Sequence, residues 1–166
     1  VNIDGATGTT YTLTQADVGN QITVTASYTD QRGFEESVTS NPTSVVANVN
    51  DPPTFTSTAV TSVNEDSLYT YTVTTSDVDT GDSVTLTGTK IPGWLTFTAG
   101  TGVLAGTGVL DGTPLNEHVG DHLVVITASD GTVEVTQSFT ITVTNTNDAP
   151  IITSTAVTSV NEDSLY

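Results

Sequence analysis

Thirteen residues, Ser57 to Tyr69 (STAVTSVNEDSLY), return unchanged at Ser154 to Tyr166, so the chain repeats with a period of 97 residues. A matching joint precedes each copy in the same register, Asn50-Asp51-Pro52-Pro53 before the first and Asn147-Asp148-Ala149-Pro150 before the second. Self-similarity at about one domain length marks a tandem array of beads, each joined to the next by a short polar linker. The stretch therefore reads as an excerpt from a longer, extracellular-type structural chain.

Each bead is built from strands. There are 37 Thr and 22 Val among 166 residues, and β-branched side chains lose rotamer freedom in helices but pack well on pleated surfaces. Gln21 to Thr29 places Ile22, Val24, Ala26 and Tyr28 on one face and Thr on the other, the pattern of a half-buried strand. With a strand at Tyr11 to Thr14, a turn at Gln15 to Gly19, a hairpin at Asp30 to Gly33 and a strand from Glu35 to Asn48 bent near Pro42, residues 1–49 form the C-terminal part of a β-sandwich. Residues 54–146 carry a full set: Tyr69, Tyr71 and Val73 alternate with Thr, Ser83 to Thr89 and Trp94 to Thr98 are short strands, and His122 to Ser129 and Val133 to Thr144 are long ones. Val133, Val135, Phe139, Ile141 and Val143 share one face of the last. Thr101 to Gly106 is followed by the near copy Thr107 to Gly112, read as an inserted turn, since no helix follows and the glycine spacing fits no phosphate-binding loop. Residues 50–53 and 147–150 are the joints, and 151–166 would open the next bead. The spacing predicts an all-β Greek-key sandwich of immunoglobulin type, because the short connections leave no room for crossover helices.

Charge narrows the partners. Two basic residues stand against 19 acidic ones, a formal charge of -17. Such a chain repels phosphate backbones and anionic lipid, so nucleic acid is not an expected partner, and it attracts divalent cations. Cysteine is absent, so stiffness must come from packing, metal or a covalent cross-link rather than disulfides. No apolar run reaches membrane-spanning length.

The fold gives the acids a geometry. Successive loops of a sandwich alternate between its two ends, so the loop Ser76 to Asp82 and the hairpin Asp130-Gly131 return to the pole where the Asn50-Asp51 joint enters. The turn at Asp17, at the facing end of the preceding bead, meets the same pole. Clustered carboxylates repel one another, whereas Ca²⁺ takes six to eight oxygens. The same rule sends Glu65 to the opposite pole, beside Asn147-Asp148. The competing reading makes all of them solvated turn residues, since Asp is what turns favour.

Other motifs carry less. Asp77-Val-Asp79 opens like an EF-hand loop, but Gly88 falls where a bidentate Glu is required. Asp79-Thr-Gly81 lacks the symmetric partner of a two-carboxylate protease, and there is no Gly-Xaa-Ser-Xaa-Gly elbow or cysteine nucleophile, so no enzyme is expected. His118 and His122, on a loop running into a strand, need not converge on a metal and read as surface residues. Lys90, the only lysine, reads as an exposed amine. Trp94 reads most simply as core, with a platform for sugars as the alternative.

The Asn-Asp-Xaa-Pro joints, Val63-Asn-Glu65, Ser76-Asp77-Val-Asp79 and Ala128-Ser-Asp130-Gly together resemble a cadherin repeat over roughly residues 47–150. Ile91-Pro-Gly-Trp94-Leu-Thr-Phe97 and Gly112-Thr-Pro114 are similar to the dystroglycan-type cadherin-like repeats of large bacterial surface proteins, and residues 1–49 resemble bacterial immunoglobulin-like repeats. This resemblance implies calcium between beads, held by Asp51, Glu65, Asp77, Asp79, Asp130 and Asp148, and a rigid spacer at a bacterial cell surface. The chain departs from that pattern in lacking the Asp-Arg-Glu ligand motif. Neighbouring repeats, cell-surface glycans, homophilic partners and an edge-paired or domain-swapped second copy complete the expected partners, and a carbohydrate-binding module is the alternative function.

Overall fold

The computed structural model describes residues 3, 5–101, 106–163 and 165. The expected sandwich is built from β3 (Thr54–Phe55), β4 (Ser62–Asn64), β5 (Tyr69–Ser76), β6 (Thr85–Lys90), β7 (Thr96–Ala99), β8 (Thr107–Gly112), β9 (Gly120–Ser129) and β10 (Glu134–Thr144). One sheet runs β4-β10-β9-β6 and the other β3-β5-β8-β7. Every pair is antiparallel except β4 with β10, where Ser62, Val63 and Asn64 lie opposite Thr142, Val143 and Thr144. The first strand therefore divides, pairing briefly with β5 and then crossing to the other sheet.

The alternation read from β5, β9 and β10 is what fills the space between the sheets. Tyr69, Tyr71, Val73 and Leu110 meet Leu86, Val124, Ile126, Ala128 and Ile141 in one buried cluster. Gln137 interrupts the inward row of β10, and its polar atoms are consumed internally. Its Oε1 accepts from Tyr71 Oη at 2.8 Å and its Nε2 donates to the Ser57 carbonyl at 3.1 Å. Ser57 Oγ in turn takes the Thr74 N–H at 2.9 Å. This network ties the segment after β3 to both sheets without leaving a buried polar atom unmatched there.

Four expectations are corrected. Thr107 to Gly112 is no inserted turn: it is β8, paired with β5 on one side and β7 on the other, with Leu110 fully buried. The two near-identical hexapeptides end differently. Gly106 adopts φ +77° in the turn before β8, whereas Gly112 lies so close to the Trp94 carbonyl that a Cβ would stand 2.2 Å from it. Most of the first hexapeptide, residues 102–105, lies outside the described residues. Tyr11 to Thr14 form no strand; Tyr11 and Thr14 are instead spent on capping Asp17.

The strand expected from Glu35 to Asn48 stops early. Only β2 (Glu35–Thr39) pairs regularly with β1 (Thr25–Thr29). Pro42 has no N–H to give a ladder, and beyond Thr39 hydroxyls stand in for carbonyls as acceptors: Ser40 Oγ accepts from Val24 N and Thr43 Oγ1 from Ile22 N, each at 3.0 Å, while the Ser40 and Thr43 N–H groups still donate to the Val24 and Ile22 carbonyls at 2.8 and 2.9 Å. Val24, Tyr28 and Val38 of this hairpin are exposed. The described residues of 151–166 likewise form no strand and are exposed throughout.

Candidate metal centre

Three segments converge where the first joint enters the sandwich. The loop between β5 and β6 supplies Asp77, Asp79 and Asp82, the β9–β10 hairpin supplies Asp130, and the joint supplies Asn50 and Asp51. One carboxylate oxygen each from Asp77, Asp82 and Asp130 lies within 4.8 Å of the other two, and among the described residues this is the only such acidic or histidine group. The joint is stitched to it directly. Asn50 Nδ2 donates to Asp130 Oδ2 at 3.0 Å, and the Asp51 N–H donates to Asp79 Oδ2 at 2.7 Å.

Local turn chemistry aims these side chains. Asp77 Oδ1 accepts the Asp79 N–H at 2.9 Å, and Asp130 Oδ1 accepts the N–H groups of Thr132 and Val133, both at 2.7 Å. These are Asx-type turns, and they occupy one oxygen of each carboxylate, with Asp130 Oδ2 left to accept from Asn50. Two carboxylate oxygens of this loop are orphaned: Asp77 Oδ2 and Asp79 Oδ1 are buried with no hydrogen-bond partner. Asp79 is only 4% exposed. A buried carboxylate oxygen without a partner is costly unless a cation answers it.

The electrostatics agree. Asp82 is pushed above the ordinary carboxylate range by lost hydration and by the charges of Asp79, Asp77 and Asp130. Asp130 is held below that range, chiefly by the Val133 N–H, then by the Asn50 amide and the Thr132 N–H. The donor set is all oxygen and crowded with negative charge, which fits Ca²⁺ and disfavours softer transition metals. Asp82 was absent from the ligand set expected from sequence; its place in the same loop as Asp77 and Asp79 was the available signal.

The other expected residues fall elsewhere. Asp17 is buried, but its Oδ2 already accepts from Thr14 N, Tyr11 Oη and Thr14 Oγ1 at 2.8, 3.0 and 3.1 Å. The Thr14 backbone N–H is the main cause of its lowered pKa. Its turn nonetheless reaches the joint, since Gln15 and Val18 line a cleft with Asn48 and Thr80. Glu65 lies at the opposite pole, 1% exposed, with Oε1 accepting from Thr146 N and Oε2 without a partner. Asp148 is exposed there and accepts from Asn116 Nδ2 at 3.2 Å. Glu65 and Asp148 do not form a compact acidic trio with a third group.

His118 and His122 do converge, contrary to the sequence expectation. Their ring centroids lie 6.4 Å apart, and both rings abut Trp94, at 6.3 and 5.7 Å. Trp94 also meets Tyr69 edge-on at 5.9 Å and packs against the core. The convergence arises because the 3₁₀ turn Asn116–His118 folds back before β9 begins.

The family model described as Putative Ig domain matches residues 52–144. Two structures of the endo-fucoidan hydrolase MfFcnA4, from glycoside hydrolase family 107, are 27% and 25% identical with a TM-score of 0.49, over 81% of this chain and 20% of theirs. This chain thus spans about a fifth of those proteins. The SrpA adhesin from Streptococcus sanguinis is 16% identical with a TM-score of 0.44, over 60% of each chain. A titin domain is 15% identical with a TM-score of 0.40, over 58% of this chain and 98% of its own. No curated protein matches.

Proposed function

The chain belongs to the Putative Ig domain family, and from that premise we propose that it is a calcium-binding structural repeat of a large bacterial extracellular or cell-surface protein. Its role is to hold neighbouring beads at a fixed angle. The observation that carries this reading is the pair of buried, unpartnered oxygens on Asp77 and Asp79, set beside the three carboxylates that lie within 4.8 Å of one another.

The physical logic runs from charge to stiffness. Asp77, Asp79, Asp82 and Asp130 would hold the cation from the sandwich side, with Asn50 and Asp51 contributing from the joint. Without a cation these acids oppose one another, and the joint is held by two hydrogen bonds. With one, attraction from both sides closes the joint onto the sandwich. Binding of a ligand to the folded form alone stabilises by about 2.7 kcal/mol at a hundred times its dissociation constant, and extracellular calcium modules work at roughly 0.1 to 1 mM.

Calcium titration by calorimetry, with melting in calcium and in chelator, tests the proposal. We expect saturable heat and a higher melting temperature in calcium, both abolished by Asp77→Ala with Asp79→Ala. No heat and coincident melting curves would reduce the cluster to turn chemistry.

A further inference from the structure

A second device lies at the opposite pole and needs no cation. The 3₁₀ turn Asn116–His118 is closed by its own histidine: His118 N–H donates to the Leu115 carbonyl at 2.8 Å, and Leu115 N–H donates back to His118 Nδ1 at 2.9 Å. A backbone N–H can only donate, so Nδ1 must carry a lone pair and the ring proton must sit on Nε2. That Nε2 faces Glu117 Oε1 at 3.8 Å. His122 is fixed by the same reasoning. Its Nε2 lies 2.6 Å from the His118 carbonyl, which can only accept, so the proton is on Nε2. Trp94 packs against both rings.

The turn also carries Asn116, whose Nδ2 donates to Asp148 Oδ2 of the second joint at 3.2 Å. We propose that His118 is a proton-operated latch on that joint. Neutral, its Nδ1 closes the turn and presents Asn116 to Asp148; protonated at Nδ1, it confronts the Leu115 N–H with a second donor, opens the turn and releases the tether. The groups facing His118 are Glu117, on its own turn, and His122, on β9. Glu117 favours the imidazolium and His122, once charged, opposes it. Neither can replace the lost acceptor at Nδ1.

His118→Asn separates this latch from general acid loosening. The Asn Oδ1 is one bond from Cγ, as His Nδ1 is, so it keeps an acceptor for Leu115 that does not protonate. The measurement is NMR on the whole chain from pH 8 to pH 5 without metal, following the Leu115 amide, the Asn116 side-chain amide and the His118 ring. In the parent we expect both amides to shift together with the ring, and the Asn116 side-chain protons to lose about fivefold in protection at the acid end, measured against the intrinsic exchange rate at each pH, the loss of roughly one net hydrogen bond. H118N should hold both amides still across the range, H118F should show the open positions at pH 8, and H122Q should behave like the parent. The latch is overturned if the amides move equally in H118N, if they do not follow the His118 ring in the parent, or if H118F keeps the closed positions.

Discussion

Asp79→Asn should change sign with calcium. Asp79 is 4% exposed; its Oδ2 accepts the Asp51 N–H at 2.7 Å and its Oδ1 is buried without a partner. The substitution keeps a carbonyl oxygen for Asp51 and removes the charge. Like charges at close range repel by about 1 to 4 kcal/mol per pair, and the Asp79 charge acts on Asp82, so in chelator the uncharged variant should be more stable by about 1 kcal/mol, or roughly 4 to 8 °C in melting temperature for a domain this size. In calcium at a hundred times the parent dissociation constant, the parent gains about 2.7 kcal/mol, while a variant bound a hundredfold more weakly gains only about 0.4. The order of melting temperatures then inverts. Differential scanning calorimetry of both proteins, in calcium and in chelator, reads all four values. If the variant is less stable by the same amount in both buffers, Asp79 is only an acceptor for the joint, and the reasoning from its orphaned oxygen is wrong.

Gly112→Ala would place a Cβ 2.2 Å from the Trp94 carbonyl and 3.2 Å from Leu95 Cα; two backbones must move apart, and urea unfolding should show a loss of about 1 to 3 kcal/mol. Asp66 sits at φ 61° while its N–H donates to the Pro114 carbonyl at 2.8 Å, so Asp66→Gly should stabilise by up to about 1 kcal/mol and Asp66→Ala should not. In chelator, acid titration should separate two carboxylates. Asp130, depressed, contributes stability that is lost as pH falls through its lowered value; Asp82, elevated, contributes stability that is present in acid and lost as pH rises through its raised value. The metal-free protein should therefore be most stable between those two values, and ¹³C carboxyl shifts paired with melting curves across that range check it.

What was legible in the sequence was what local pattern and topology decide together. Alternation along Glu134 to Thr144 identified the buried face of β10, and Val135, Phe139, Ile141 and Val143 turn inward as expected. The gathering of Asp77, Asp79 and Asp130 at the pole of Asn50 and Asp51 follows from loop alternation alone. What escaped was decided by neighbours. Thr107 to Gly112 has turn-like composition, yet it becomes a central strand because β5 and β7 offer it two open ladders. Pro42 signalled a bend, but not that the hydroxyls of Ser40 and Thr43 would stand in for carbonyls while their N–H groups kept the pairing going past Thr39. His118 and His122 read as surface because their convergence on Trp94 depends on a turn too short to leave a periodic signal.

The thirteen-residue repeat separates these two causes within one molecule. Asp66 and Asp163 occupy equivalent places in identical sequence, and both adopt the left-handed conformation, φ 61° and 63°. An Asp reaches that region at small cost because its short side chain bonds locally, so the turn comes from the letters alone. The strand does not. Ser62 to Asn64 is β4 because Thr142 to Thr144 lie alongside it, and Glu65 is buried because Thr144 and Thr146 close over it. Ser159 to Asn161, the same residues without such an edge, form no strand and are exposed. A difference confined to tertiary partners, with sequence held constant, thus accounts for the whole of the strand and none of the turn.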